Sequence, residues 1–475
     1  MESSKPHALL LPSPGVGHLV RHLELGNRLV AYHNFHVTLF VVFESLLSAG
    51  ESQLIQSAKA QKLITIVELP PVDISGKVEP AAQFFTKQAA ITREIQPSLR
   101  STISTLTLSP TALIVDLFAT PALDVADEFH ILKFVFFPSA WPLSLMLYLP
   151  ILDKEISGQY VDQKEPLKIP GCMSIQPEDA GSPMLDRTKD EYHVFLQRGS
   201  EMRMSDGILL NTWENLDSMT LKALRENESF GSVPIYAVGP FVRPVGPSAS
   251  RSNLLNWLDE QPSESVIYIS FGSVGFLSAQ QITELAFGLE LSQQRFIWVL
   301  RPPANKKNMP GKKHALGDKG NDALDYLPDG FLTRTQGLGL VVTQWAPQVD
   351  ILSHPSTGGF LSHCGWNSAL ESILNGVPLL AWPLYAEQSM NAILLSEKVG
   401  VAVNPKVAPT RGVVRREEIE MLVRKVMGDQ EEGKALRARV MELKVSGEKA
   451  LIEGGSSFNA MSQFAKQCEM KMLRN

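Results

Sequence analysis

GGFLSHCGWNSALESILNGVPLLAWP (358–383) reads as strand, helix, strand. GGFLSHC and PLLAWP are short, nearly continuous apolar runs, as parallel strands covered on both faces should be. Between them, Ser368-Ala-Leu-Glu371 has the form of a capping box, opening a helix that runs to Asn375. Gly376 and Pro378 are its stop signals. This is one βαβ unit, and the rest of the chain repeats its rhythm.

Towards the N-terminus the runs are HALLLPS (7–13), HVTLFVVF (36–43), LITIVELP (63–70), ALIVDLF (112–118), KFVFFPS (133–139), GILLNTW (207–213) and PIYAVGP (234–240). Amphipathic stretches such as VRHLELGNRLVAY (20–32) lie between them. FVRPVGPSASRSN (241–253) interrupts the series with Pro, Gly and Ser and reads as a linker. The series restarts with VIYISFGS (266–273), RFIWVLR (295–301) and GLVVTQW (339–345), and closes with GVAV (400–403) after the unit quoted above. Two α/β domains of similar size with a cleft between them are expected. Residues 302–326 form a polar, Gly- and Lys-rich insertion expected to be a mobile loop, and a last helix starts near Ser456.

Bulk composition excludes several classes. The 475 residues are 44% hydrophobic and 20% charged, with a net charge of −6, so neither a nucleic-acid binder nor a membrane-surface protein is indicated. Pro12 and Pro14 break the short N-terminal apolar run, which argues against a signal peptide. No stretch approaches the roughly 18 uninterrupted apolar residues of a membrane span. Cys172, Cys364 and Cys468 are too few and scattered for a disulfide framework and fit a reducing compartment. A cytoplasmic protein is expected.

Two loops after strands, and one carboxylate inside a strand, carry candidate chemistry. PSPGVGH (12–18) resembles a dinucleotide fingerprint, with Glu44 as its acidic partner, but Val20 stands branched at the third glycine position. What remains is a glycine loop placing His18 at the carboxyl end of a strand, either as an ordinary loop histidine or as a catalytic one. Asp116 lies inside an apolar strand, where a carboxylate needs a partner: a backbone amide, an Arg, or a histidine whose charge it controls. SFGSVG (270–275) is either a plain turn or an anion-binding loop with free amides.

The segment 360–372 has three readings. A metal site needs spaced ligands, whereas His363 and Cys364 are adjacent with no CxxC or HxxxH beside them. A cap accounts for Ser368 and Glu371 but leaves His363, Asn367 and the Gly365 turn. A diphosphate at the helix N-terminus uses all of them, with Glu371 one turn in to accept ribose hydroxyls. The flanks favour this last reading. WAPQ (345–348) offers a Trp face for a flat base, and WPLYAEQ (382–388) ends the next strand with a carboxylate and an amide suited to sugar hydroxyls.

Trp345 to Gln388 resembles, almost residue for residue, the signature box of plant UDP-dependent glycosyltransferases of the two-domain GT-B fold. The likeness extends over the whole chain, through the GVGH loop, VDLF, NTWE and LDEQPSESVIYISFGS. It is strongest to the branch glucosylating monolignols, hydroquinone and other small phenolics. The resemblance implies an α/β fold of two Rossmann-like parallel-sheet domains facing across a cleft. Residues 1–240 would bind acceptor and 254–455 the UDP-sugar, with 456–475 a helix crossing back to the first domain. It implies that Trp345 stacks on uracil, the Ala346 backbone reads its edge, and Gln348 and Glu371 hold the ribose. Ser273, His363, Asn367 and Ser368 would surround the diphosphate with Trp366 beside them, and Glu387 and Gln388 would bind sugar hydroxyls. His18 would be general base and Asp116 its partner.

Two positions depart from the family pattern. Glu387 replaces the Asp of much of the family, and Arg21, followed by His22, stands where Pro is frequent. The implied reaction is one inverting displacement from UDP-glucose to a small phenolic, with no cofactor or metal, by an expected monomer without nucleic-acid partners. Phe118, Trp141, Leu145, Tyr148 and Tyr192 are candidates for the acceptor pocket, each equally readable as core. A flavonoid O- or C-glucosyltransferase and a non-catalytic nucleotide-sugar-binding protein are the alternatives.

Overall fold

Each apolar run named above forms a parallel strand in the computed structural model. The structure describes residues 5–43, 47, 49–79, 84–242, 253–303 and 323–474. Most of the linker 241–253, most of the insertion 302–326 and Glu44 lie outside the described residues. The chain divides into two units, Met1–Arg243 with Lys449–Asn475, and Pro244–Glu448.

The first unit holds β1 (His7–Leu11), β2 (His36–Val41), β3 (Thr65–Glu68), β4 (Ala112–Asp116), β5 (Leu132–Phe137), β6 (Gly207–Leu210) and β7 (Ile235–Ala237). They form one sheet in the order β3-β2-β1-β4-β5-β6-β7. β1, β4 and β6 are buried along their whole length, which explains their unbroken apolar runs. The sheet reverses direction of growth between β1 and β4, which pair with Leu11 opposite Val115. Loops leaving the carboxyl ends of two such strands diverge and open a crevice.

The helix Ser456–Met472 closes this unit's core. Its Phe464 is fully buried, stacked on Phe35 with ring centroids 5.8 Å apart and edge-on to Phe134 at 4.7 Å. Met461 and Cys468 join the same cluster, and Gln467 accepts from the Tyr236 hydroxyl at 2.8 Å. Burying a side chain such as Phe464 stabilises by about 1.5–3 kcal/mol.

The second unit holds β8 (Val266–Ser270), β9 (Arg295–Val299), β10 (Gly339–Val342), β11 (Thr357–Ser362), β12 (Leu379–Ala381) and β13 (Ala402–Val403). Their order is β10-β9-β8-β11-β12-β13, so this sheet reverses between β8 and β11. The helix Arg416–Met427 packs Ile419, Leu422, Val423 and Val426 into this unit's core. Among the described residues no helix is long and apolar enough to cross a membrane.

Candidate active site

The chemistry-bearing residues of the first unit gather at its reversal point. Gly15, with φ 134° and ψ 140°, takes a conformation that L side chains rarely adopt and turns the chain from β1 into the helix Val16–His33. That turn sets His18 in the first helical turn, its N–H donating to Gly15 O at 3.1 Å. Asp116 ends β4 on the other side of the reversal. His18 Nδ1 stands 2.8 Å from Asp116 Oδ2, with the His side chain 18% exposed and the Asp 1%.

Asp116 has further partners. Ser13 donates its backbone N–H to Oδ2 at 2.9 Å and its hydroxyl to Oδ1 at 2.7 Å. The amides of Phe118 and Ala119 donate to Oδ1 at 3.0 and 3.2 Å. Two of the readings left open for this carboxylate, backbone amide and histidine, therefore hold together. Burial opposes its charge, yet His18 beside it and the hydrogen bonds from His18 and Ser13 hold it well below the usual carboxylate range. Asp116 thus stays ionised and can accept a hydrogen bond from a proton carried on His18 Nδ1.

Arg21 and His22 belong to the same cluster. Arg21 Nη2 lies 3.0 Å from His18 Nδ1. His22 Nδ1 stands 2.9 Å from the His18 carbonyl oxygen, and its ring meets Phe136 edge-on. Burial pushes His22 down to about 4, so it is neutral near pH 7 and donates from Nδ1.

Of the five acceptor-pocket candidates, the structure brings Phe118 against His18, ring centroids 5.4 Å apart. Phe84 and Phe85, which sequence reasoning missed, flank Phe118 at 5.1 and 4.9 Å. Trp141 and Leu145 are packed interior, and Trp141 Nε1 donates to Thr220 Oγ1 at 3.1 Å. Tyr192 is buried with its hydroxyl committed to Asp153 at 2.5 Å and Tyr160 at 2.9 Å. Tyr148 packs against Phe230. Trp141, Leu145 and Tyr192 are buried among neighbouring side chains, whereas Tyr148 is only half-buried.

In the second unit the loops after β8 and β11 converge. Gly272, at φ 72°, and Gly365 both face the His363 ring, and a Cβ on either would sit 2.5 Å from Nε2. Only glycine lets two backbones close on the ring this tightly. Burial, helped by the charge of Arg301, pushes His363 down to about 4. Its ring is therefore neutral near pH 7, and its buried Nδ1 meets no protein partner among the described residues. Arg301, at the end of the β9 segment, also donates to Ser273 O. Sequence reading missed Arg301, although a cation closing an apolar run at a strand's carboxyl end was a usable signal.

The capping box does not form. The helix starts at Trp366, three residues earlier than the pattern implied, with Gly365 at the N-cap and no side-chain cap. Cys364 adopts φ 62°, and Asn391, buried on the helix Gln388–Ile393, holds its carbonyl at 3.0 Å. This turn starts the helix early and places Ser368 inside its first turn. Ser368 Oγ and Glu371 Oε2 accept instead from Gln348 Nε2, at 2.9 and 2.6 Å. Trp345 is 61% exposed, Ala346 and Trp366 are buried, and Asn367 lies one residue into the helix. Glu387 is the N-cap residue of Gln388–Ile393. The amides of Leu384 and Tyr385 donate to Gln388 Oε1 at 2.9 and 3.2 Å, which fixes the orientation of its amide.

A diphosphate-sized anion suits this arrangement: a helix N-terminus, a buried imidazole nitrogen with no partner among the described residues, a nearby guanidinium and a glycine loop share one sheet edge. A family model described as UDP-glucoronosyl and UDP-glucosyl transferase matches residues 250–435. The anthocyanidin 3-O-glucosyltransferase 5 of Manihot esculenta is 53% identical, over 98% of this chain and 96% of its own length. The hydroquinone glucosyltransferase of Rauvolfia serpentina is 44% identical, over 98% of each. The crystal structure of TcCGT1 in complex with UDP superposes with a TM-score of 0.89 at 47% identity, covering 98% of this chain and all of that one.

The chain belongs to this family, within its plant branch. It is a glycosyltransferase with the GT-B fold of two Rossmann-like parallel-sheet domains.

Proposed function

We propose that the protein transfers glucose from UDP-glucose to the phenolic oxygen of a small acceptor, a monolignol, related phenylpropanoid or hydroquinone, with inversion at the anomeric carbon. The carrying observation is the His18–Asp116 pair, with Nδ1 2.8 Å from a buried, ionised carboxylate. In this reading His18 Nε2 takes the acceptor's proton as its oxygen bonds to the anomeric carbon. The bond from that carbon to the diphosphate breaks, and its electron pair leaves on UDP. Asp116 stabilises the imidazolium.

The second unit would hold the donor, Trp345 and Ala346 at uracil, Gln348 and Glu371 at ribose. His363, Asn367, Ser368 and Ser273 would meet the diphosphate, and Glu387 and Gln388 the sugar. The helix N-terminus would stabilise the leaving charge, so the proposed transfer needs no metal. The aromatic surface of Phe84 and Phe118 beside His18 supports a flat acceptor. Three free cysteines support a cytoplasmic setting. A second reading, a flavonoid glucosyltransferase, is favoured by the Manihot relative.

The test is purified protein with UDP-glucose and a panel of hydroquinone, coniferyl alcohol, a flavonol and a sterol, with and without EDTA. Product mass, alkaline stability and anomeric proton coupling are read. β-Glucosides of the small phenolics, formed equally with EDTA, are expected. Turnover of the sterol alone, or α-linked products, would overturn the proposal.

A further inference from the structure

Arg21 stands one turn after His18, is 7% exposed, and sets Nη2 3.0 Å from His18 Nδ1. The same nitrogen meets Asp116 Oδ2 at 2.8 Å. A guanidinium has donors only and stays charged. Nδ1 can therefore donate to Asp116 or accept from Arg21, but not both. In the first arrangement Nε2 is free to take a proton. In the second Nε2 already carries one. Among the described residues, the titratable and charged groups facing His18 are Asp116 from the end of β4, and Arg21 and His22 from its own helix. His22 is neutral and commits its Nδ1 proton to the His18 carbonyl, so at Nδ1 the Asp116 carboxylate competes with the Arg21 guanidinium.

We propose that Arg21 is a positioning and specificity-determining residue that weakens His18 as a base, confining transfer to acidic hydroxyls and holding back aliphatic alcohols. This rests on His18 being the base. A phenol releases its proton with little demand on the base. An aliphatic alcohol passes more of its proton to Nε2 in the transition state, and the imidazolium so formed is what the neighbouring guanidinium disfavours.

The test compares Arg21→Gln, Arg21→Lys and His18→Ala. Their kcat/KM is measured against pH on phenols of graded acidity and on a phenyl-substituted aliphatic alcohol, with thermal melting as a fold control. Arg21→Gln should move the acid limb up by about one pH unit and raise the alcohol-to-phenol ratio about tenfold. Arg21→Lys keeps the charge and should hold both within about threefold of the parent. Should Gln prove unfolded, Arg21→Met, which retains the apolar stem, takes its place with the same expectation. A neutral variant with unchanged limb and ratio overturns the proposal, as does a Lys variant that behaves like Gln. His18→Ala separates the two ideas: near-parental activity there means that the base reading has failed, whereas a collapsed rate beside an inert Arg21→Gln means that only the role of Arg21 has.

Discussion

His18 Nδ1 and Asp116 Oδ2 lie 2.8 Å apart, contributed from opposite sides of the point where the first sheet reverses its strand order. His18→Ala should lower kcat by about 10²–10⁴ while UDP binding, followed by calorimetry, stays within a few-fold. Asp116→Asn should also cut the rate, since it removes the charge that steadies the imidazolium. It should lower the melting temperature too, because one amide end cannot accept the donors now gathered on both oxygens. A His18→Ala enzyme as fast as the parent on phenols would end the assignment.

Gln348 bridges Ser368 and Glu371. Glu371→Ala should weaken UDP binding by about 10–100-fold and raise KM for the donor, with kcat little changed, as for a contact equal in ground and transition states. Because Gln348 and Glu371 share one hydrogen bond, the double alanine variant should lose less affinity than the two single losses combined. Additive losses would mean that the two side chains act independently.

Gln388 can offer a sugar hydroxyl only its N–H, since two backbone amides occupy its carbonyl oxygen. A glucose hydroxyl placed to accept that N–H is misplaced in its epimer. UDP-glucose should therefore exceed UDP-galactose in kcat/KM by a factor equivalent to about 1–3 kcal/mol. Gln388→Ala should narrow the gap. Equal rates with the two donors in the parent enzyme would sink this role.

Stability should fall on mild acidification. His22 and His363 are held near 4 by burial, against 6.5 for a free histidine. The unfolded chain therefore binds more protons between those values, and stability drops as pH falls from about 6.5 towards 4. Each ring contributes up to about 3 kcal/mol of this dependence. Asp116, with its depressed folded value, adds stability above the unfolded carboxyl range that is lost at still lower pH. Urea midpoints at pH 7.5, 6 and 5 should show the slope, and His22→Gln should reduce it by about one proton's worth. An unchanged slope in that variant would mean that His22 is not kept neutral.

Much of this was legible before any fold existed. Continuous apolar runs such as ALIVDLF (112–118) declare buried parallel strands because both faces must be covered. A glycine just before His18, or two residues after His363, at the end of such a run declares a loop at a carboxyl edge. Those are local statements, and local sequence carries them. Which edges become neighbours is not local. β1 beside β4, and β8 beside β11, is a choice of strand order made by packing over distant contacts, and it alone brings Asp116 to His18 and the Gly272 turn to His363. The capping box failed for the same reason: Asn391 reaches Cys364 from another helix and moves the start of the helix. Trp141 and Tyr192 became core because side-chain direction is settled only when neighbouring elements dock. Residue types announced the chemistry; strand order chose the partners, since a hydrogen bond of 2.8 Å depends on where two separate strands end.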